Sequence, residues 1–330
     1  MIFLRMIAAL YGWLVSLRNS LYDRGWLKCE ELPGVVISVG NIAVGGTGKS
    51  PLVIDIAKRV IAEGGMPAIV TRGYRSGLGA SEWQVLMAGK IILGQQQDQV
   101  GADEARMQSL ALPSVPVIIG VRRLQAVRNF LRATGNGKIT HFILDDGFQH
   151  RKIRRHQDIV ALDVRNPAGA LLPAGRFREP ISSLSRAHDV VFTKSVNQSQ
   201  TDAAVDLLRR IAPHVRHHEL RMEAEPLRLM SGLGTQIPRR WAVVAGIAKP
   251  DDFLASLAGI GIAPVARFFN GDHQSLNPYV IQSARASFDG IVTTEKDWAR
   301  DEARFRALAI PVYVLPLKPV WVGLELAIRY

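Results

Sequence analysis

VISVGNIAVGGTGKSP, residues 36–51, is the stretch on which the fold turns. The apolar run VISVG, closed by a turn of glycines, reads as a buried strand. The turn fits A-x-x-x-x-G-K-S, running from Ala43 through Val44, Gly45, Gly46, Thr47, Gly48 and Lys49 to Ser50. Glycines let the backbone curl so that successive N–H groups point at phosphate oxygens. The helix expected from PLVIDIAKRVIAEGG adds the positive end of its dipole. Lys49 then reaches the β- and γ-phosphates, and the Ser50 hydroxyl suits magnesium. Pro51 falls in the first helical turn, where a missing N–H costs nothing. Ala43 stands where such turns usually begin with glycine. Together these features predict nucleotide binding and leave open what is done with the nucleotide.

Outward from this loop, short apolar runs alternate with helical sequence. PAIVTRGY, VPVIIG, THFILDD, DIVALDV and HDVVFTKS read as strands, with RRLQAVRNFLRA and TDAAVDLLRRIA as helices between them. The alternation predicts a mostly parallel sheet covered by helices. HVRHHELRMEAEPLRL is polar and lacks helical period, so residues 216–235 are expected to form an extended linker. The pattern then restarts with RWAVVAGIA, PDDFLASLAGIG, APVARFF, NPYVIQSARASF, GIVTTEKD and PVYVLPL. Residues 1–215 are thus expected as a P-loop domain and residues 236–330 as a smaller α/β domain.

The 330 residues are 48% apolar and 21% charged, ordinary for a globular protein with a sizeable core. A single cysteine, Cys29, leaves no internal disulfide and points to a reducing compartment. The net charge of +12 suits nucleic acid, anionic lipid or an anionic small substrate. The opening MIFLRMIAALYGWLVSL, about residues 1–20 with its flank, is apolar apart from Arg5 and is followed by Arg18, Arg24 and Lys28. As a helix it reaches roughly 25 Å, short of a hydrocarbon core of about 30 Å. Tyr11 and Trp13 suit a headgroup interface, so an interfacial anchor is expected, with a buried helix or a span as alternatives.

FILDDGFQH, residues 142–150, ends an apolar strand in Asp145-Asp146, where a P-loop protein places its magnesium carboxylates. Guanine specificity would need N-K-x-D or T-K-x-D. Thr193-Lys194 begins such a motif, but Val196 holds the acid position, and TEKD at 294–297 has its lysine one residue late. Partitioning ATPases carry a second lysine where Val44 stands. Aromatic residues make up 7% and are not interleaved with the basic runs, which gives a nucleic-acid motor little support.

GNIAVGGTGKSP, TRGY, DEARM, ILDDGFQH, LLPAGRFREP, AGIAKPDDF, GDHQSL and TTEKD occur in this order from about residue 36 to 298. This series resembles the tetraacyldisaccharide 4'-kinase (lipid A 4'-kinase) family. The resemblance implies two α/β/α domains, a P-loop NTPase-like sandwich and a smaller one, joined by a two-stranded linker. It implies ATP- and Mg²⁺-dependent phosphorylation of the 4'-hydroxyl of tetraacyldisaccharide 1-phosphate, giving lipid IVA, at the cytoplasmic face of the bacterial inner membrane. The anionic membrane surface then accounts for the positive charge without nucleic acid, at about 1 kcal/mol for each basic side chain near it. No obligate protein partner is expected. The alternative reading is a membrane-associated P-loop ATPase acting on a protein partner.

Carried over by position, Ala43 to Ser50 match the ATP site and Asp145 and Asp146 the magnesium pair. Asp103 matches the base of a G-D-E-P motif, here Ala-Asp-Glu-Ala, and His273 matches a histidine that assists it from the second domain. A carboxylate can take the proton of a sugar hydroxyl as the phosphoryl group transfers, and an imidazole bonded to it tunes its basicity. Arg178 matches a family arginine suited to the transferring charge; Arg176 has no match. Tyr74, Gln149 and His150 are candidate lipid contacts. The basic run RKIRR at 151–155 is expected as mainly a solvated face. Glu295, Lys296 and Asp297 match a family motif with no assigned physical role.

Overall fold

The structure, a computed structural model, describes residues 2–74, 76–95, 103–135, 138–195, 197–232, 237–247, 249–271, 277, 281 and 285–328. Helix α1 (Ile2–Asp23) precedes the strand of the opening motif, β1 (Val35–Gly40), which leads through the glycine turn into α2 (Lys49–Ala62). Then come β2 (Pro67–Thr71), β3 (Trp83–Met87), β4 (Lys90–Gly94), α3 (Asp103–Ala111), β5 (Val117–Gly120), α4 (Arg123–Thr134) and β6 (His141–Asp145). β7 (Gln157–Asp163), β8 (Asp189–Thr193), α5 (Gln198–Ile211) and β9 (Arg216–Ala224) follow. The remainder holds β10 (Arg228–Ser231), β11 (Trp241–Ala245), α6 (Pro250–Gly259), β12 (Ala266–Phe269), β13 (Gly290–Thr294), α7 (Glu295–Arg306), β14 (Val312–Leu315) and β15 (Leu317–Val322).

Ten strands form one sheet in the order β15-β9-β8-β7-β1-β6-β2-β5-β3-β4. The seven from β9 to β5 run parallel. β2, β5, β6 and β8 are buried at every position, which is why they read as unbroken apolar runs. On one face Ile37 and Val39 meet Leu52, Val53, Ile56, Ala57 and Val60, the helical stripe of α2. On the other, Val36 packs with Leu124, Val127, Phe130 and Leu131 of α4. Each such side chain taken from water contributes about 1.5–3 kcal/mol. β1 lies between β6 and β7, with β2 beyond one and β8 beyond the other, so the strand order reverses beside it. That switch point opens a crevice at the C-terminal strand ends, and the glycine turn occupies it.

Five strands form the second sheet, β10-β14-β13-β11-β12, parallel except for β10. Phe253 and Leu257 of α6 and Trp298 and Phe305 of α7 cover it. Both units are α/β/α sandwiches, as expected. Residues 216–224, expected as linker, are extended, but Arg216–Leu220 is hydrogen-bonded into the large sheet beside β8. β15 returns from the second sheet and pairs antiparallel with β9, Leu317 opposite Ala224 and Val322 opposite Glu219. β9 read as linker because RHHELRMEA is polar and alternating, and β15 escaped notice as the strand at the sheet edge.

Among the described residues no helix is long and apolar enough to cross a membrane. α1 instead lies on the large unit by a narrow polar face. Tyr11 donates to the Arg178 carbonyl (2.9 Å), and Asn19 donates to the buried Glu179 carboxylate (2.9 Å). Arg18 donates to the Gln149 carbonyl (3.0 Å). Its remaining surface presents Phe3, Leu4, Met6, Leu10, Trp13, Leu14 and Leu17 outward. The basic run 151–155 keeps Lys152 and Arg154 exposed, as expected, and departs from a solvated face at its two ends. Arg151 pairs with Asp23 of α1, and Arg155 is buried against Asp158 and the Gly147 carbonyl. An arginine so placed is retained for its hydrogen bonds, which run composition alone does not reveal.

Candidate active site

The turn from Ala43 to Ser50 is gripped from both sides. On one side it pairs with Arg176–Arg178: Ala43 bridges Phe177, the Val44 N–H donates to the Arg176 carbonyl (2.8 Å), and the Arg178 N–H to the Ile42 carbonyl (2.7 Å). Ala43 is therefore held as extended backbone and needs no glycine. Gly45, at φ 109°, does: a Cβ there would lie 2.2 Å from an Arg176 guanidinium nitrogen. On the other side Lys194 donates to the Gly46 carbonyl (2.5 Å) and Thr193 Oγ1 to the Thr47 carbonyl (3.0 Å). Gly48, left-handed at φ 78°, caps α2, which opens with Lys49 and Ser50.

Asp145 ends β6 beside this turn, and Asp146 follows it. Lys49 Nζ is 3.3 Å from Asp146 Oδ1, and Arg178 Nη1 donates to Asp146 Oδ2 at 2.6 Å. Burial works to raise the Asp146 carboxyl, but Lys49, Arg178 and Arg123 together hold it down at about 2. Asp145 goes the other way. Burial and then the neighbouring Glu104 push it above the usual carboxylate range, against Lys49 and a hydrogen bond from Gln108 (2.8 Å). Its Oδ1 is buried and has no hydrogen-bond partner. A divalent cation fits here: it supplies the positive charge this carboxylate lacks, and magnesium needs only one or two carboxylates besides phosphate oxygens and water. Among the described residues no cluster of three His, Cys, Asp or Glu side chains offers a metal cage.

Asp103 opens α3 and is buried; the same helix carries Gln108 and Glu104 to Asp145. His273 lies outside the described residues, so the expected pairing with Asp103 has no geometry here. Gln149 donates to the Asn41 carbonyl (2.9 Å), and Asn41 to Thr47 Oγ1 (2.9 Å), which ties Gln149, three residues past Asp146, to the glycine turn. His150 is pushed down to about 3 by burial and by Arg123, Arg155, Arg18 and Lys152, and so is neutral among cations. Tyr74 follows β2 at the same sheet edge and is largely exposed. Glu295 and Asp297 begin α7, where Thr294 caps the helix by accepting from the Asp297 N–H (3.0 Å).

Several residues of the cleft were not anticipated. Gln108 orients Asp145, and Arg123, buried at the start of α4, donates to the Asp146 carbonyl (3.1 Å). Arg176, lacking a family match, donates to the Val44 carbonyl (3.1 Å). A basic pair one residue past an apolar run, Arg122-Arg123 after VPVIIG and Val121, is a signal that could have pointed at the sheet edge.

Cations and inward N–H groups at the switch point of a parallel sheet, with carboxylates one strand over, define a P-loop nucleoside-triphosphate enzyme. Residues 1–326 match the tetraacyldisaccharide-1-P 4'-kinase family, LpxK. The tetraacyldisaccharide 4'-kinase of Chlorobaculum parvum is 38% identical over 309 residues, covering 90% of this chain and 83% of that protein. That of Chlorobaculum tepidum is 37% identical over 310 residues, covering 91% and 86%. The crystal structure of LpxK from Aquifex aeolicus in complex with ATP superposes with a TM-score of 0.73 at 26% identity, covering 96% of this chain and 93% of that one. The chain belongs to the tetraacyldisaccharide 4'-kinase family, and is a kinase that uses ATP.

Proposed function

We propose that this cleft transfers the γ-phosphoryl group of ATP to a lipid-borne sugar hydroxyl through the following residues. The reaction is ATP-dependent 4'-phosphorylation of tetraacyldisaccharide 1-phosphate in lipid A synthesis. The turn from Ala43 to Ser50 seats the triphosphate, with Lys49 on its outer phosphates. Arg178 stabilises the charge that spreads over the phosphoryl oxygens as the bond to ADP breaks. Ser50, Asp145 and Asp146 would hold Mg²⁺, which when bound neutralises charge on the β- and γ-phosphates. Asp103 accepts the proton of the 4'-hydroxyl, and His273 tunes it. Tyr74, Gln149 and His150 line the acceptor side. Residues 1–215 and 236–330 act as two lobes whose approach brings His273 to Asp103, so that water is excluded before transfer.

The membrane-facing part of the reading rests on α1. Its apolar side chains face outward while its polar face bonds to Arg178, Glu179 and Gln149, next to the cleft. A helix so arranged, followed by Arg24 and Lys28, lies in an anionic headgroup layer and brings the cleft to a lipid that cannot leave the bilayer. The cytoplasmic face of the inner membrane, where ATP is available, is the location proposed. No protein partner is needed, and family membership disfavours the reading as an ATPase that drives a partner.

The observation that carries the proposal is Asp146 bracketed by Lys49 and Arg178 at the rim of the glycine turn. The role of Asp103 is tested by Asp103→Asn in the full chain. Phosphorylated lipid should form at least about 10²-fold more slowly while ATP still binds. Undiminished turnover would remove Asp103 as the base.

A further inference from the structure

Two residues that are not glycine take left-handed backbone at the ends of parallel strands on either side of β1: Asp146 after β6, which adjoins β1 (φ 52°), and Lys194 after β8, one strand beyond β7 (φ 61°). Such conformations persist where the surroundings demand them. Asp146 points its carboxylate at Lys49 of the glycine turn. Lys194 aims at the opposite side of the same turn, its Nζ donating to the Gly46 carbonyl at 2.5 Å.

A trans peptide directs its carbonyl and its N–H to opposite sides. Holding the Gly46 carbonyl outward therefore turns the Thr47 N–H the other way. Thr193 does the same for the next peptide and Arg176 for the peptide after Val44. The N–H groups of Gly45, Thr47 and Gly48 are in this way set by three side chains outside the turn. Of the three, among the described residues, Lys194 alone is also within ion-pair distance of the second unit: Asp252 in the first turn of α6 is 3.9 Å away. Asp252 is held in turn by Arg165, which donates to it at 3.0 Å and binds Asp163 at the end of β7. Lys249, just before α6, lies 3.6 Å from the same Asp163.

We propose that Lys194 is a positioning residue for ATP: it fixes the Gly46 carbonyl and, through Asp252, links the shape of the phosphate cradle to the seating of α6. This rests on the glycine turn holding the nucleotide and is independent of the acceptor's identity. Thr193-Lys194, the fragment of a guanine motif that lacks its acid, acquires a role that needs no base recognition. The second unit then affects nucleotide affinity before any acceptor is present.

The test is titration calorimetry of the full chain with a non-hydrolysable ATP analogue and Mg²⁺. Lys194→Met should weaken binding by about tenfold or more, as expected for loss of a charge-assisted hydrogen bond. Lys194→Arg should restore most of it. Asp252→Asn should weaken binding severalfold in the native background and have no further effect beside Lys194→Met, because both act through one contact. Binding by Lys194→Met within about twofold of the native chain, or effects that multiply in the double variant, would overturn the proposal. Should Lys194→Met fail to fold, unchanged binding by Asp252→Asn overturns it alone. If the native chain bound no nucleotide, the reading of the glycine turn would fall instead, a result distinct from either.

Discussion

Arg178 donates to Asp146 at 2.6 Å while Lys49 stands 3.3 Å from the carboxylate's other oxygen, so two cations from distant parts of the chain share one anion at the rim of the phosphate cradle. Neither cation is free to wander, and the carboxylate that fixes them is ionised throughout the working pH range. Asp146→Asn removes that charge with little change in shape. Steady-state phosphorylation should fall by about 10²-fold or more, with the variant still folded at the assay temperature. Turnover within a few-fold of native would separate Asp146 from the reaction.

Lys49 and Arg178 should differ in how they fail. Lys49→Ala removes a contact made to the phosphates on binding and strengthened as the outer phosphoryl group moves, so ATP affinity and kcat both drop. Arg178→Ala removes charge stabilisation that grows as the phosphoryl group moves, so kcat should fall by about 10²–10³-fold with the KM for ATP nearly unchanged. Kinetics over a range of ATP concentrations separate the two patterns.

Replacing Phe3, Leu10 and Trp13 together by serine should detach the chain from vesicles containing anionic phospholipid. Each side chain contributes about 1.5–3 kcal/mol of apolar burial, and all three project outward from α1. Co-sedimentation with the vesicles measures the loss, and ATP-analogue binding in solution should stay native. Undiminished sedimentation would mean that another surface holds the membrane.

Stability should show an acid limb from Asp189, buried at the start of β8. Its carboxylate accepts from Arg216 (2.8 and 2.9 Å), Gln157 (2.8 Å) and His218 (3.0 Å). Burial alone would raise its pKa, but the hydrogen bonds from His218, Arg216 and Gln157 bring it down to about 2. Because the folded value lies below the unfolded one, the contribution is complete above about pH 5 and is lost as pH falls towards 2; it is on the order of 2 kcal/mol. Thermal melts from pH 7 to pH 3 should show the native chain losing its advantage over Asp189→Asn as acid is added. A difference independent of pH would contradict this.

The legible parts of the site were local in sequence. Strand, glycine turn and helix follow one another within 27 residues, from Val36 to Ala62, and Asp145-Asp146 close a strand apolar enough to recognise. What stayed hidden depends on pairs far apart in the chain. Gln108 meets Asp145 across 37 residues, and Lys194 meets Gly46 across 148. No periodicity records such meetings, which arise from strand order. β15 was hidden for another reason: KPVWV mixes polar and apolar residues because it covers the sheet edge, with Trp321 bonding Asp55 of α2 (2.9 Å). TTEKD read as the end of a strand is also a helix start, since Thr294 both closes β13 and caps α7.

Transfer of label from γ-labelled ATP to tetraacyldisaccharide 1-phosphate, with the position of the new phosphate read by mass spectrometry, tests the central claim most directly. The native chain should place label on the 4'-oxygen of the lipid, and Lys49→Ala should place almost none there. Label that appears only as inorganic phosphate, or a lipid product equally abundant with Lys49→Ala, would contradict the account.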